Sequence, residues 1–220
     1  LTRSRDSLSS VDPLAVFPPA APTPVAARAT VPSTPGVTRS VALTPRGWQE
    51  LRCTATPNGS RWAGSLDALG ADGDTFLLHW VPMLEAALGV AFPPCTLHLD
   101  PPLHGPHVPA GLPLAALAAV TSAVTGLTPE PRVLAPLRAD PQGRLSDLEL
   151  TAADVAGLAA LDVGTVALAA PRDDRGLEWT RADLPAVTVA PGLVELVGLL
   201  VPGLDRWQQP RDERSWGGYL

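Results

Sequence analysis

The 220-residue chain contains no lysine: all 16 of its basic residues are arginine. Arginine keeps its charge in any protein environment, whereas a buried lysine can lose its proton and act as a base or Schiff-base amine. Lysine-dependent catalysis is therefore excluded within the chain. A phosphate-binding loop of the form G-x-x-x-x-G-K-[ST] is excluded for the same reason. Cysteine is almost as scarce. Cys53 and Cys95 match no metal-ligand spacing and are too few for a disulfide framework. Aromatic residues make up only 5%, and no run approaches the ~18 apolar residues needed to span a membrane. Arg3 and Arg5 are followed by Asp6, serines, Asp12 and prolines, so the N-terminus does not read as a signal peptide. A soluble, cytoplasmic protein is the expectation. The net charge of −6 lacks the basic footprint usual for nucleic-acid binding, although a local basic face is compatible with it.

What is plentiful is Ala, Val and Leu, together with 26 prolines and 19 glycines. The hydrophobic fraction of 45% is enough for one packed domain. The prolines cluster: Pro13, Pro18, Pro19, Pro22, Pro24, Pro32 and Pro35 fall in the first 36 residues, among Ala, Ser and Thr. Proline cannot donate to a helix or ladder, so residues 1–36 read as an extended, disordered arm. The folded domain is expected over 37–202. A loose tail, 203–220, carries Trp207, Trp216 and Tyr219.

Within the domain, VTRSVALTP and WQELRCTATP alternate partially, and Asn58-Gly59 then signals a hairpin into RWAGSLDAL. A three-stranded antiparallel start is expected. Asp74 is placed to cap a helix with Phe76, Leu77, Trp80, Leu84, Ala87 and Leu88 on one stripe, ended by Gly89. The strand CTLHLD follows, then a proline-rich loop and an almost wholly apolar helix over 112–125, closed by Gly126. RVLAPLRAD and RLSDLEL flank Pro141-Gln142-Gly143 as a hairpin; a helix over 152–161 and the strand VGTVALAA come next. LPAVTV and a last helix, GLVELVGLLV, complete a mixed α/β (α+β) layer domain.

Several strings in this order resemble the proteolytic domain of the Lon (S16) family. FPPCTLHLDPP followed by AGLPLAALAAVTSAVTG is similar to the degenerate Lon-like domain of the ComM, or magnesium-chelatase-like, proteins. GRLSDLELTAADVAGLAALDVGTVALAAP resembles a stretch shared by Lon and the RadA/Sms repair proteins, and AVTVAPGLVELVGLL resembles the segment that closes the Lon domain. The likeness runs from Gly36 to Val201. It implies the Lon proteolytic-domain fold, also described as ribosomal protein S5 domain 2-like. The serine of the family's D-G-P-S-A-G string falls, without gaps, on Gly111, where this chain reads VPAGLP. The partner lysine, counted from Gly143-Arg144, falls on Ala152. The resemblance thus implies a catalytically inactive, pseudo-peptidase domain without its own ATPase. Such a module binds a protein partner, self-associates, or works with an ATPase in trans, in a setting such as DNA repair or recombination. The alternative is an S16-like hydrolase with a displaced catalytic set.

Other constellations are weaker. His98, His104 and His107 near Asp100 could form a zinc set, but H-x5-H-x2-H is no recognised metal spacing, and loop histidines explain them. No cofactor is expected. A serine hydroxyl needs a neighbouring base to become nucleophilic. Ser122 lies deep in the apolar helix, and Ser146 has only Asp147 and Glu149 beside it. Asp72 with Asp74, and Asp173 with Asp174, are explained by turns and helix caps. Arg132, Arg138 and Arg144 could share a face toward a DNA backbone, against the commoner reading of solvated surface arginines. Trp48, Trp62 and Trp80 read as packing residues.

Overall fold

A computed structural model describes residues 34–44, 47–58, 62–64, 69, 72–102, 111–148, 157, 161–169 and 186–207. Strand β1 (Val37–Thr44) and β2 (Gly47–Pro57) form an antiparallel ladder from Val37↔Thr54 to Thr44↔Gly47. The third strand departs from the expected hairpin order. β4 (Cys95–Asp100) pairs antiparallel with β2, and the short β3 (Ala63–Gly64) runs parallel to β4 on its far side. The sheet order is β1-β2-β4-β3, not a three-stranded meander. Asn58 explains part of this: its side-chain amide donates to Thr96 Oγ1 of β4, binding the end of β2 to the inserted strand. In β4, Cys95, Leu97 and Leu99 are buried while His98 and Asp100 are exposed, the alternation of a sheet with one covered face.

The cover is α3 (Leu112–Thr125), buried at each position from Leu112 to Ser122. Four of these eleven buried positions are alanine, small side chains that suit packing against a sheet. Polar atoms inside it are matched to nearby acceptors. Thr121 Oγ1 donates to Leu117 O at 2.9 Å and Thr125 Oγ1 to Thr121 O at 2.8 Å. Ser122 Oγ donates to Leu127 O and accepts the Gly36 N–H at 2.8 Å. The second bond corrects the expected domain edge. Gly36 is buried against α3, so packing begins before residue 37.

The helical stretch after Asp72 starts two residues earlier than Asp74 and is not uniform. α1 (Asp72–Thr75) passes into a π-helical turn (Phe76–Trp80) and then α2 (Val81–Leu88). The Val81 N–H reaches back to Phe76 O, a five-residue step. Pro82 has no N–H to offer a regular ladder, and the wider turn accommodates that gap. The shift leaves Phe76, Trp80, Val81 and Leu84 buried and Leu78 69% exposed. Gly89 ends the helix in the left-handed region.

RVLAPLRAD is two strands rather than one. β5 (Val133–Leu134) pairs parallel with β8 (Thr165–Ala169), whereas β6 (Leu137–Ala139) pairs antiparallel with β7 (Leu145–Asp147). Pro136, which cannot donate to a ladder, sits at the break. β8 is central in the parallel order β5-β8-β9, with β9 spanning Val187–Ala190. Its Ala167 and Ala169 join the main core, while Val166 and Leu168 join a second cluster with Leu134 and Val163, against which Trp48 packs. α4 (Leu193–Leu200) follows, with Leu193, Leu196, Val197 and Leu200 buried.

The segment expected as a tail from 203 is, at its start, part of the fold. A 3-10 turn over Leu204–Arg206 buries Leu204, and Trp207 Nε1 donates to Thr125 O at 3.0 Å. An amphipathic indole near a helix end, where carbonyls lack partners, explains the attachment. The arm 1–33, the helix expected over 152–161 apart from Gly157 and Leu161, and the residues after 207 lie outside the described residues. Among the described residues, no helix is long and apolar enough to cross a membrane. The architecture is a mixed α/β fold.

Candidate functional site

The junction aimed at the N-terminus of α3 is the place to look for chemistry, because the first backbone N–H groups of a helix are free to meet a negative centre. Gly111 occupies the N-cap position with φ +89° and ψ −21°, and it is buried. No side chain caps this end. A Cβ placed on Gly111 would lie 3.1 Å from Ala135 O and 3.9 Å from Leu137 O. Both the dihedral and the neighbouring carbonyl favour glycine here. An L-serine at 111 would need strained backbone and a shift of the Ala135 carbonyl.

Around Gly111 lies a small cleft lined by Thr38, Arg39, Leu114, Glu130 and Ala135. It has room for one or two water molecules, not for a peptide segment. Its polar groups are already engaged. Thr38 Oγ1 donates to Ala115 O at 2.6 Å. Arg39 Nε and Nη2 donate to the two oxygens of Glu50 at 3.0 and 3.2 Å, and Nη1 donates to Asp162 O at 2.6 Å and Pro131 O at 3.3 Å. The Arg39 side chain is only 8% exposed. Sequence reading passed over this arginine. The one available signal was its place in phase with Val37, Val41 and Leu43 on the more apolar face of β1, where a charge needs a partner.

The other predicted residues that are described do not gather around Gly111. Ala152 lies outside the described residues, so its distance from Gly111 is not part of the geometry. His104 and His107 also lie outside them. His98 is exposed on β4, opposite Thr54. Among the described residues, no group of three or more His, Cys, Asp or Glu side chains could hold a metal ion. Ser122 is buried with its hydroxyl hydrogen-bonded at both ends. Ser146 is exposed on β7 and faces Arg138 across the β6–β7 ladder.

The three arginines are only partly a basic face. Arg138 and Arg144 belong to the same hairpin, but Arg144 Nε stands 3.7 Å from an Asp140 carboxylate oxygen. Arg132 stands 3.8 Å from Asp162. These exposed pairs contribute little to stability, yet they offset two of the three positive charges.

The two thiols are inert by position. Pro57↔Cys95 and Cys53↔Leu99 set them four residues apart along paired strands, about 13 Å, too far for a disulfide. Both are free and buried. Burial pushes the Cys53 thiol up to about 12 and the Cys95 thiol up to about 11. At pH 8, Ellman's reagent is expected to label neither thiol in the native protein and both after denaturation, with native labelling at least ~100-fold slower. Because both folded values lie above the ordinary 9.0, the stability tied to the neutral thiols is complete below about pH 9. It declines as the pH climbs from 9 toward 11–12. Denaturant unfolding at pH 8 and pH 10.5 reads this loss.

With this geometry in place, comparison with known proteins adds no family: no protein-family model matches the chain, and no curated protein matches it.

Proposed function

We propose that the chain is a non-catalytic, Lon-type domain that works as a binding or self-association module. The observation that carries this reading is the buried, left-handed backbone of Gly111, whose Cβ direction is crowded by Ala135 O at 3.1 Å. A nucleophile at the matching position would be strained. The lysine that would activate it in a Ser–Lys dyad is absent from the chain. Among the described residues the cleft beside it has room for only one or two waters, which supports a role carried by the surfaces. A protein partner, including an ATPase supplied in trans, or a second copy of the chain fits this reading, and DNA repair or recombination is its proposed setting.

Two measurements test it. Incubation with a fluorophosphonate probe is expected to leave every serine unlabelled, and casein is expected to stay intact over hours. Labelling of one serine, abolished when that serine is changed to alanine, would replace this reading with that of a hydrolase. Sedimentation velocity over a wide concentration range then separates the partners. Reversible assembly assigns self-association, and a monomer throughout directs the search to a different protein.

A further inference from the structure

We propose that Met83 is an oxidation-sensitive site through which a peroxide loosens the junction between α2, the β6–β7 turn and α4. It is the only methionine in the chain. It lies half-buried on α2, against the turn over 140–143. A Cβ on Gly143 would stand 2.8 Å from Met83 Sδ, 3.0 Å from its Cε and 3.2 Å from Leu193 Cβ. The thioether therefore fills the space a side chain at 143 would take, and it does so where three elements meet. The same turn is bound to both helices by hydrogen bonds. Trp80 Nε1 donates to Asp140 O at 2.9 Å, and the Leu193 N–H at the start of α4 donates to Gly143 O at 3.0 Å.

The reaction is a two-electron oxidation. Hydrogen peroxide transfers one oxygen atom to the sulfur and leaves as water, so the thioether becomes a sulfoxide. A flexible, weakly polar contact is thereby turned into a strong hydrogen-bond acceptor. The backbone donors of this turn are already taken. The Gly143 N–H is held by Asp140 O at 2.9 Å, and the Gln142 and Arg144 N–H groups are held by Asp140 Oδ1, each at 2.9 Å. The Leu193 N–H is already used. A sulfoxide oxygen must displace these bonds or turn outward to solvent and the exposed Gln142 and Arg144 side chains, and either move pulls Met83 from its packed contact with the turn. Methionine sulfoxide reductases acting with a thiol reverse the change, which makes it a switch rather than damage.

The test is thermal unfolding of the full chain before and after hydrogen peroxide, with peptide mass spectrometry locating the added oxygen. Oxidation at Met83 is expected to lower Tm by about 3–8 °C, and reductase with dithiothreitol to restore it. Met83→Leu should keep its Tm through the same treatment. Met83→Gln, which places an acceptor and a donor at a similar reach, should start with a lowered Tm and respond to peroxide no further. A fully oxidised Met83 with unchanged Tm would overturn the proposal. So would a Met83 that survives peroxide doses that consume free methionine, or a Met83→Gln protein as stable as Met83→Leu.

Discussion

Replacing Arg39 by alanine is expected to lower stability by about 3–5 kcal/mol, seen as a fall in Tm of roughly 10 °C. The guanidinium spends its donors on four acceptors: both Glu50 oxygens, Pro131 O and Asp162 O. These acceptors belong to β2 and to two loops, so one side chain ties the antiparallel sheet to the segments leading into β5 and β8. Removing it takes two charge-assisted hydrogen bonds from a partly buried carboxylate and leaves two carbonyls short of a donor. Breaking one side of such a pair costs more than the pair contributes net, because the stranded charge remains. Arg39→Lys should recover only part of the loss, since a single ammonium cannot match a two-oxygen carboxylate and two carbonyls at fixed angles. The pairs Arg132–Asp162 and Arg144–Asp140 serve as controls. They are exposed and 3.8 and 3.7 Å apart, and Arg132→Ala and Arg144→Ala should shift Tm by no more than about 2 °C. An Arg39→Ala protein that melts within that same margin would show that the clamp carries no weight.

Gly111→Ser is expected to cost about 2–4 kcal/mol and to yield no reactivity toward the fluorophosphonate probe. Two causes add. The backbone lies at φ +89°, and the new Cβ meets Ala135 O at 3.1 Å. Gly126 separates them, since it lies at φ +71° with open space around its Cβ direction. Gly126→Ala should therefore lose only the dihedral part, about 1 kcal/mol, whereas Gly111→Ala should lose nearly as much as Gly111→Ser. Equilibrium urea unfolding of the three variants reads these differences directly. A Gly111→Ser protein of wild-type stability that captures the probe would mean that the junction still accepts a nucleophile, and the non-catalytic reading would fall.

The sequence was most informative where periodicity and punctuation agreed. The apolar run 112–125 between glycines, the alternation Cys95–Leu97–Leu99 and the Pro141-Gln142-Gly143 hairpin all correspond to elements of the fold. It was least informative where partners are distant in sequence. Nothing local to Ala63-Gly64 shows that it pairs with β4 rather than β2, and Asn58-Gly59 suggests the opposite. The split of RVLAPLRAD into two sheets was announced only by Pro136. At the candidate site, the missing lysine was plain in the composition, and glycine at 111 was plain in the string. The direction of its absent Cβ was not. Arg39 was invisible because three of the segments it binds are reached over separations of 11, 92 and 123 residues.

Strand β8 has a consequence for the order in which the chain folds. Its two faces belong to different apolar clusters, Ala167 and Ala169 to one, Val166 and Leu168 to the other. Its ladder partners are far away in sequence on one side, at Val133 and Leu134, and arrive only with Val187 on the other. The early antiparallel strands and α3 can meet first, at modest loop-closure cost. Both clusters stay unfinished until β8 inserts between them. Late, non-local docking of β8 is therefore the expected slow step of folding, to be read from refolding rates of Val166→Ala and Leu168→Ala variants.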